Sequence, residues 1–281
     1  CGRRPESGAC MMIVDAHVHC GVQNVDQSYD VISPLLSKAG ADAAVMFPPV
    51  EDVYDRHDPT FTDTPEWQEC RRRANDYVVD LARSTGPCLN PVPDPALDRE
   101  PGPVRDRVHP FFFVWNDFRA DLLHDGHKGI KWHRHPDEPT YNYDDPRCRE
   151  MLEAIVARGL PITVEETYEN TMLLVNELAP EATFVVPHVG KMNGGFGRLA
   201  ADGLWERPNV WADTSMATFL DLTAYVECCG VQRLMFGSDY PFGVPAGQIE
   251  TIRALKLDAE DEAAVLGDNV MRLLGGAPEQ G

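Results

Sequence analysis

The chain alternates short runs of β-forming residues with stretches that carry the apolar period of a helix, and this alternation repeats along its length. Helices of this length between strands predict parallel pairing with right-handed crossovers. Eight strand–helix units favour a closed (β/α)8 barrel, the TIM-barrel fold of the α/β class, built as a single domain. The eight predicted strands lie at residues 11–19, 43–47, 108–115, 127–133, 161–166, 182–187, 209–213 and 233–237.

An open, doubly wound sheet is the alternative architecture. No G-x-G-x-x-G motif follows the first predicted strand, so the nucleotide site typical of such sheets has no support. In a barrel, the chemistry lies at the carboxyl ends of the strands. Ionisable residues are placed there in this chain: His17, His19, Lys131, His133, Glu165, Glu166, His188 and Asp239. Between strands, the sequence predicts among others a helix at residues 65–84, a short helix at 117–124 and a closing helix at 259–274.

Composition narrows the class of protein. The chain has 281 residues, of which 43% are hydrophobic and 25% charged, as in ordinary globular proteins. A formal net charge of −20 argues against nucleic-acid and anionic-membrane partners, because both require a basic surface. No apolar run reaches the roughly 18 residues of a membrane span.

The first ten residues lack the apolar centre of a secretory signal. We therefore expect residues 1–10 to be an extension outside the fold and residues 11–281 to form the barrel. The eight cysteines form no C-x-x-C pair, which favours reduced thiols and a cytoplasmic location over a disulfide framework.

The first predicted strand ends in Asp15-Ala16-His17-Val18-His19. Because side chains alternate along a strand, Asp15, His17 and His19 are expected on one face. Two imidazoles so spaced can hold a divalent cation. The pattern alone is weak, since a second pair, His133-Arg134-His135, also occurs, and two ordinary polar histidines are the alternative.

Five motifs in order resemble the amidohydrolase superfamily, most closely the branch that contains aminocarboxymuconate-semialdehyde decarboxylase. The likeness extends from about residue 12 to the end of the chain, including a closing helix at 267–274. The motifs are Asp15–His19, Gly129–His133, Gly159–Pro161, Pro187–His188 and Phe236–Pro241.

The resemblance implies a metal site at His17, His19, His188 and Asp239. Glu165 stands where many relatives carry a histidine, and it is interpreted as a metal ligand, an acid/base group or a contact for a cationic substrate. Lys131 matches a position that some binuclear relatives carboxylate, and we interpret it as unmodified. Because neighbouring strand residues face opposite ways, Glu165 and Glu166 are not both expected inside.

The function so implied is that of a metal-dependent hydrolase acting on an amide, lactone or ester of a small carbonyl compound. Asp239 and His188 are the predicted catalytic residues, and Lys131 and His133 the predicted substrate-binding residues. One divalent ion is expected, zinc first and manganese second. A metal-dependent decarboxylase is the alternative, in which a cation such as Arg134, Arg56 or Lys191 would bind the substrate carboxylate.

Two further hypotheses are weaker. A phosphoesterase would need an Asp-x-His pair late in the chain, which the sequence lacks. A metal-free binding module would require that the glutamate at position 165, in place of a histidine, has abolished activity. The substrate pocket is expected between loops 50–63, 87–110 and 134–143, and a homo-oligomer is left open.

Overall fold

The computed structural model describes residues 11–85 and 107–275. The predicted extension at residues 1–10 and residues 87–106 of the predicted loop lie outside these ranges. Eight parallel strands pair in chain order. They are β1 Val14–His19, β2 Ala43–Phe47, β3 Val108–Phe113, β4 Gly129–His133, β5 Ile162–Glu165, β6 Phe184–Val186, β7 Val210–Asp213 and β8 Leu234–Met235.

Backbone hydrogen bonds join the last strand to the first and close the barrel. The amide of Ala16 donates to Phe236 O at 2.8 Å, the amide of Asp239 to His17 O at 2.8 Å, and the amide of His19 to Tyr240 O at 3.0 Å. The chain is therefore a single-domain (β/α)8 barrel, which confirms the predicted fold class.

Helices cover the outside of the barrel, in agreement with the alternation in the sequence. They are α1 Tyr29–Ala39, α2 Pro65–Thr85, α3 Pro146–Arg158, α4 Tyr168–Leu173, α5 Phe196–Ala201, α6 Phe219–Cys229, α7 Pro245–Arg253, α8 Ala259–Ala263 and α9 Asn269–Leu273. A π-helical turn at Ala264–Asp268 joins α8 to α9, so the predicted closing helix is continuous. Among residues 11–85 and 107–275, no helix has both the length and the apolar character to cross a membrane.

The predicted helix at 117–124 is wrong. Only a 3-10 turn forms there, at Ala120–Leu122. Phe118 has a φ of 42°, a left-handed conformation that cannot continue a right-handed helix. The apolar period of this segment instead comes from Phe118 and Leu123, which are buried in the core from an irregular loop.

The strict alternation expected in β1 is also interrupted. The register between β1 and β2 shifts between Asp15 and Val18. His17 and His19 still reach the barrel centre. The Asp15 carboxylate accepts instead from the backbone amides of His17 and Ser238, at 3.1 and 2.8 Å. Burial raises the pKa of Asp15 to about 7, although the hydrogen bonds from Ser238 oppose this.

Candidate metal centre at the carboxyl ends of the strands

Three predicted ligands converge above the barrel core. One ligand atom from each of His17, His19 and Asp239 lies within 4.8 Å of the other two. Asp239 Oδ1 is 3.3 Å from His17 Nε2 and 3.2 Å from His19 Nε2. All three side chains are buried. Two imidazoles and a carboxylate are a common donor set for a catalytic zinc ion.

The two other predicted ligands border this group. His188 Nε2 lies 4.0 Å from Asp239 Oδ2 and 3.4 Å from Glu165 Oε2. Strand β6 ends at Val186, and the turn at Pro187–Gly190, in which His188 and Val189 have left-handed backbone angles, carries His188 over the barrel end. The structure thus brings together all five side chains that the sequence predicted as ligands.

Hydrogen bonds fix the direction of two imidazoles. His17 Nδ1 lies 2.8 Å from Asp213 Oδ2, and His188 Nδ1 lies 2.9 Å from the carbonyl oxygen of Ser215. Both acceptors require a proton on Nδ1, so Nε2 is the nitrogen that each imidazole, in its neutral form, presents to the centre as a ligand. The donor set therefore fits a divalent ion. Nδ1 of His19 is buried without a hydrogen-bond partner.

Lys131 stands at the other side of His17. Its Nζ is 3.0 Å from His17 Nε2 and 3.1 Å from Glu165 Oε2, and the side chain is completely buried. Nζ also lies 4.8 Å from the centre of the Phe47 ring. Lys131 is thus enclosed between the two candidate ligands, and its predicted role in substrate binding stays a prediction.

The electrostatics of the centre favour a cation. Burial alone would raise the pKa of the Glu165 and Asp239 carboxyls. For Glu165 this is outweighed by His133, Lys131 and His188, and for Asp239 by His17 and His19, so both pKa values are lowered. The pKa of Asp213 is lowered too, since burial is outweighed by the charge of His17.

Three carboxylates then face the single ammonium group of Lys131, which leaves an excess of two negative charges when the imidazoles are neutral. His188 responds to this excess. Burial lowers its pKa, but Glu165, Asp213 and Asp239 together raise it to about 9. A divalent cation would balance the same excess of charge.

Glu166 points away from this centre, as the alternation of β5 predicted. Its carboxylate accepts from Tyr143 OH at 2.9 Å and Asn170 Nδ2 at 3.1 Å, and it lies 3.5 Å from Arg134 Nη1. Arg134 is thereby engaged outside the centre, and Lys191 is exposed. Burial raises the pKa of Glu166.

His133 and His135 form a second group beside Glu165. His135 Nε2 lies 2.7 Å and His133 Nε2 3.6 Å from Glu165 Oε1. Behind them, Glu138 is paired with Arg56, whose Nε donates to Oε1 at 2.7 Å. Burial holds the pKa of His133 well below its ordinary value.

The backbone is strained at several of these residues. His188, Val189, Met216 and Asp239 have φ values of 56°, 45°, 50° and 57°, in the left-handed region that non-glycine residues rarely adopt. Such residues cost of order 1–3 kcal/mol each and cluster at functional sites. The strain at His188 and Asp239 therefore supports the choice of this end of the barrel as the candidate site.

Sequence reasoning missed Asp213, Ser215 and His135. Asp213 ends predicted strand 7, so its position alone could have marked it as a residue at the carboxyl end. His135 belongs to the second His-x-His pair, which was noted only as a reason for caution. Ser215, whose hydroxyl lies 2.9 Å from His188 Nδ1, has no recognisable signal in the sequence.

An eight-stranded parallel barrel with buried histidines and carboxylates at its carboxyl end defines a class of barrel enzymes built around a metal-binding centre. The chain belongs to the amidohydrolase family, whose model matches residues 14–276. The resemblance that the motifs predicted is thereby confirmed, and the chain is an enzyme of this family.

Solved structures share the fold at low sequence identity. 2,6-Dihydroxybenzoate decarboxylase from Rhizobium has a TM-score of 0.66 and 15% identity, over 94% of this chain and 99% of that chain. 5-Carboxyvanillate decarboxylase from Sphingomonas paucimobilis has a TM-score of 0.67 and 16% identity, over 95% and 100% of the two chains. A Pseudomonas putida protein, provisionally assigned as a 2-pyrone-4,6-dicarboxylic acid hydrolase, has a TM-score of 0.66 and 18% identity, over 96% and 99%. No curated protein matches the chain.

Proposed function

We propose that the chain is a metal-dependent hydrolase that cleaves a C–N or C–O bond of a small carbonyl compound, such as an amide, lactone or ester. The observation that carries this proposal is the convergence of His17, His19 and Asp239, whose ligand atoms lie within 4.8 Å of one another. Imidazole and carboxylate donors suit zinc, and the additional carboxylate of Glu165 makes manganese the second choice.

Each residue of the centre has a role in this reaction. When bound, a divalent ion lowers the pKa of the attacking water and polarises the substrate carbonyl. His17, His19 and Asp239 hold it, with Glu165 and His188 as further ligands. Asp239, whose pKa is lowered, is ionised at neutral pH and can accept the proton of the attacking water and then pass it to the leaving group. His188 either completes the ligand set or donates a hydrogen bond to the scissile carbonyl.

Decarboxylation on the same ligands is the second candidate, and Arg56 is the observation that favours it. Nη2 of Arg56 lies 3.2 Å from His135 Nδ1, and His135 contacts the candidate ligand Glu165. A guanidinium group so near the centre could bind a substrate carboxylate in exchange for its ion pair with Glu138. Among the similar structures named above, two are decarboxylases and one is provisionally a hydrolase, so both reactions are supported.

The test is the metal content per chain of protein purified without added ions, for the wild type and for Glu165→Ala. Ion retained in the wild type and lost in the variant supports a metalloenzyme with Glu165 as a ligand. An ion retained in both proteins would show that Glu165 is not required as a ligand and would assign it to acid/base catalysis or substrate binding. No ion in either protein, even after addition of zinc or manganese, would overturn the proposed function.

The two reactions are separated with substrates. We expect the metal-loaded enzyme to hydrolyse at least one member of a panel of lactones, amides and esters, and the release of acid measures this reaction. A panel of aromatic carboxylic acids tests the second candidate, and the release of carbon dioxide measures decarboxylation. Turnover in the second panel alone would replace hydrolase by decarboxylase.

A further inference from the structure

The two carboxylate oxygens of Glu165 face different groups of basic side chains. Oε2 lies 3.1 Å from Lys131 Nζ and 3.4 Å from His188 Nε2, on the side of the centre described above. Oε1 lies 2.7 Å from His135 Nε2 and 3.6 Å from His133 Nε2. One carboxylate thus connects two clusters of possible ligands.

The second cluster has the composition of a metal site by itself. Ligand atoms of His133, His135 and Glu165 all lie within 4.8 Å of one another. Two imidazoles and one carboxylate are a donor set found around catalytic zinc, which keeps a fourth position open for water or substrate. His133 and Glu165 are buried, whereas the side chain of His135 is 28% exposed, so the cluster is open on one side.

A further carboxylate lies behind both imidazoles. Glu138 Oε2 is 3.8 Å from His133 Nδ1, and Glu138 Oε1 is 3.6 Å from His135 Nδ1. Tyr54 donates to Glu138 Oε2 at 2.7 Å and holds it in place. These distances are longer than hydrogen bonds, so Glu138 acts on the two imidazoles through its negative charge.

Arg56 sets the tautomer of His135. Its Nη2 lies 3.2 Å from His135 Nδ1, and a guanidinium group can only donate, so the imidazole proton is on Nε2 and is donated to Glu165 Oε1. Binding of a cation would require this proton to be released and Nδ1 to be protonated, with Glu138 as its acceptor. Occupation therefore moves the proton of His135 from Nε2 to Nδ1, with no net release of a proton.

We propose that His133, His135 and Glu165 Oε1 form a second divalent-cation site, which shares the Glu165 carboxylate with the first centre. The proposal rests on the proposed function for the first ion only. Two cations that share a carboxylate can hold a carbonyl substrate and its attacking water from both sides.

The number of ions per chain tests this proposal directly. We expect the full chain, equilibrated with excess zinc and then freed of unbound ions, to hold two ions by elemental analysis. His135→Gln should hold one, because the partly exposed side chain can be changed without opening the core. His57→Gln is the matched control, since His57 is an exposed histidine of the same loop as Arg56, and it should hold two.

A spectroscopic measurement adds a second readout. Two manganese ions that share a carboxylate should give a spin-coupled EPR spectrum in the wild type, whereas His135→Gln should give the six-line spectrum of an isolated ion. His133→Gln serves as a second variant, with circular dichroism to verify its fold.

The outcomes separate this proposal from the one above. One ion in both the wild type and His135→Gln would overturn the second site and leave the proposed function standing. No ion in the wild type would overturn the proposed function and, with it, the shared carboxylate. Two ions in both proteins would place the second ion elsewhere and overturn the assignment to His135.

Discussion

Asp213 Oδ2 lies 2.8 Å from Nδ1 of His17, and this contact directs the other nitrogen of the imidazole to the candidate metal centre. The other oxygen, Oδ1, accepts from the backbone amides of His188 and Ser215, both at 3.0 Å. A single buried carboxylate of β7 therefore positions candidate ligands from β1 and from the turn after β6.

The substitution Asp213→Asn should weaken metal binding while the ligands themselves remain. The side-chain amide introduced at position 213 can present an N–H donor to His17 Nδ1, which is itself a donor in the wild type. The tautomer of His17 with its proton on Nδ1 is then no longer favoured. We expect a decrease in zinc affinity of about 10–100-fold, the usual effect of losing such a partner. Competition with a chromophoric chelator measures it. Asp80→Asn, at an exposed position of α2, is the control, and an unchanged affinity in Asp213→Asn would argue against His17 as a ligand.

Glu165 and Glu166 should give opposite results when each is replaced by alanine. Glu166 is satisfied by Tyr143, Asn170 and Arg134, and its loss leaves their polar groups without a partner. We expect Glu166→Ala to lower the free energy of unfolding by about 1–3 kcal/mol and to leave the metal content unchanged. Urea unfolding and elemental analysis measure the two effects. Metal loss in Glu166→Ala would show that the faces of β5 have been assigned the wrong way round.

Gly243 supports the backbone that carries Asp239. A Cβ atom at this position would lie 2.1 Å from the carbonyl oxygen of Ser238, which must then move together with its neighbour Asp239. We expect Gly243→Ala to destabilise the fold by about 1–3 kcal/mol and to lower metal affinity. Thermal unfolding and zinc titration test this. Gly197→Ala, with no atom within 4 Å of the new Cβ, should leave both unchanged or raise stability slightly.

His127 should make the fold sensitive to mild acid. Burial lowers the pKa of His127 from its ordinary 6.5 to about 3, so the folded state resists protonation where the unfolded chain accepts it. The contribution of neutral His127 to the free energy of unfolding is therefore fully present above pH 6.5 and is lost as the pH falls from 6.5 towards 3. Between pH 7 and pH 5 the wild type should lose about 2 kcal/mol more than His127→Phe, which cannot titrate. Urea unfolding at both pH values measures this difference, and equal losses would contradict it.

The barrel could be predicted from the sequence because short apolar runs recur along the chain and most of them are followed by a helix. The same reasoning placed His17, His19, Glu165, His188 and Asp239 among the ionisable residues at one face of the barrel, since strand ends meet there. The resemblance to the amidohydrolase superfamily then selected these five as candidate ligands. It failed at residues 117–124, where a left-handed Phe118 makes the apolar period misleading. It also missed the shift of register in β1, because a bulge depends on the partner strand.

The hydrogen bonds behind the ligands were out of reach for a different reason. Asp213 contacts His17 across 196 residues of chain, and nothing local to either residue encodes the contact. The rotamer that each of these side chains adopts depends on the packing of all the residues at this end of the barrel. The sequence can therefore identify candidate ligands, whereas the groups that orient them require the folded structure.

The joining of β8 to β1 has a consequence for biosynthesis. Asp239 and the backbone that bonds to His17 O leave the ribosome more than 200 residues after His17 and His19. Contacts so distant in sequence form late, after the entropy of closing the intervening chain has been overcome. The complete group of three donors thus exists only once the chain as far as Asp239 has emerged. Folding of the earlier strands cannot be nucleated by an ion at this group, and tight metal retention would instead report that the barrel has closed.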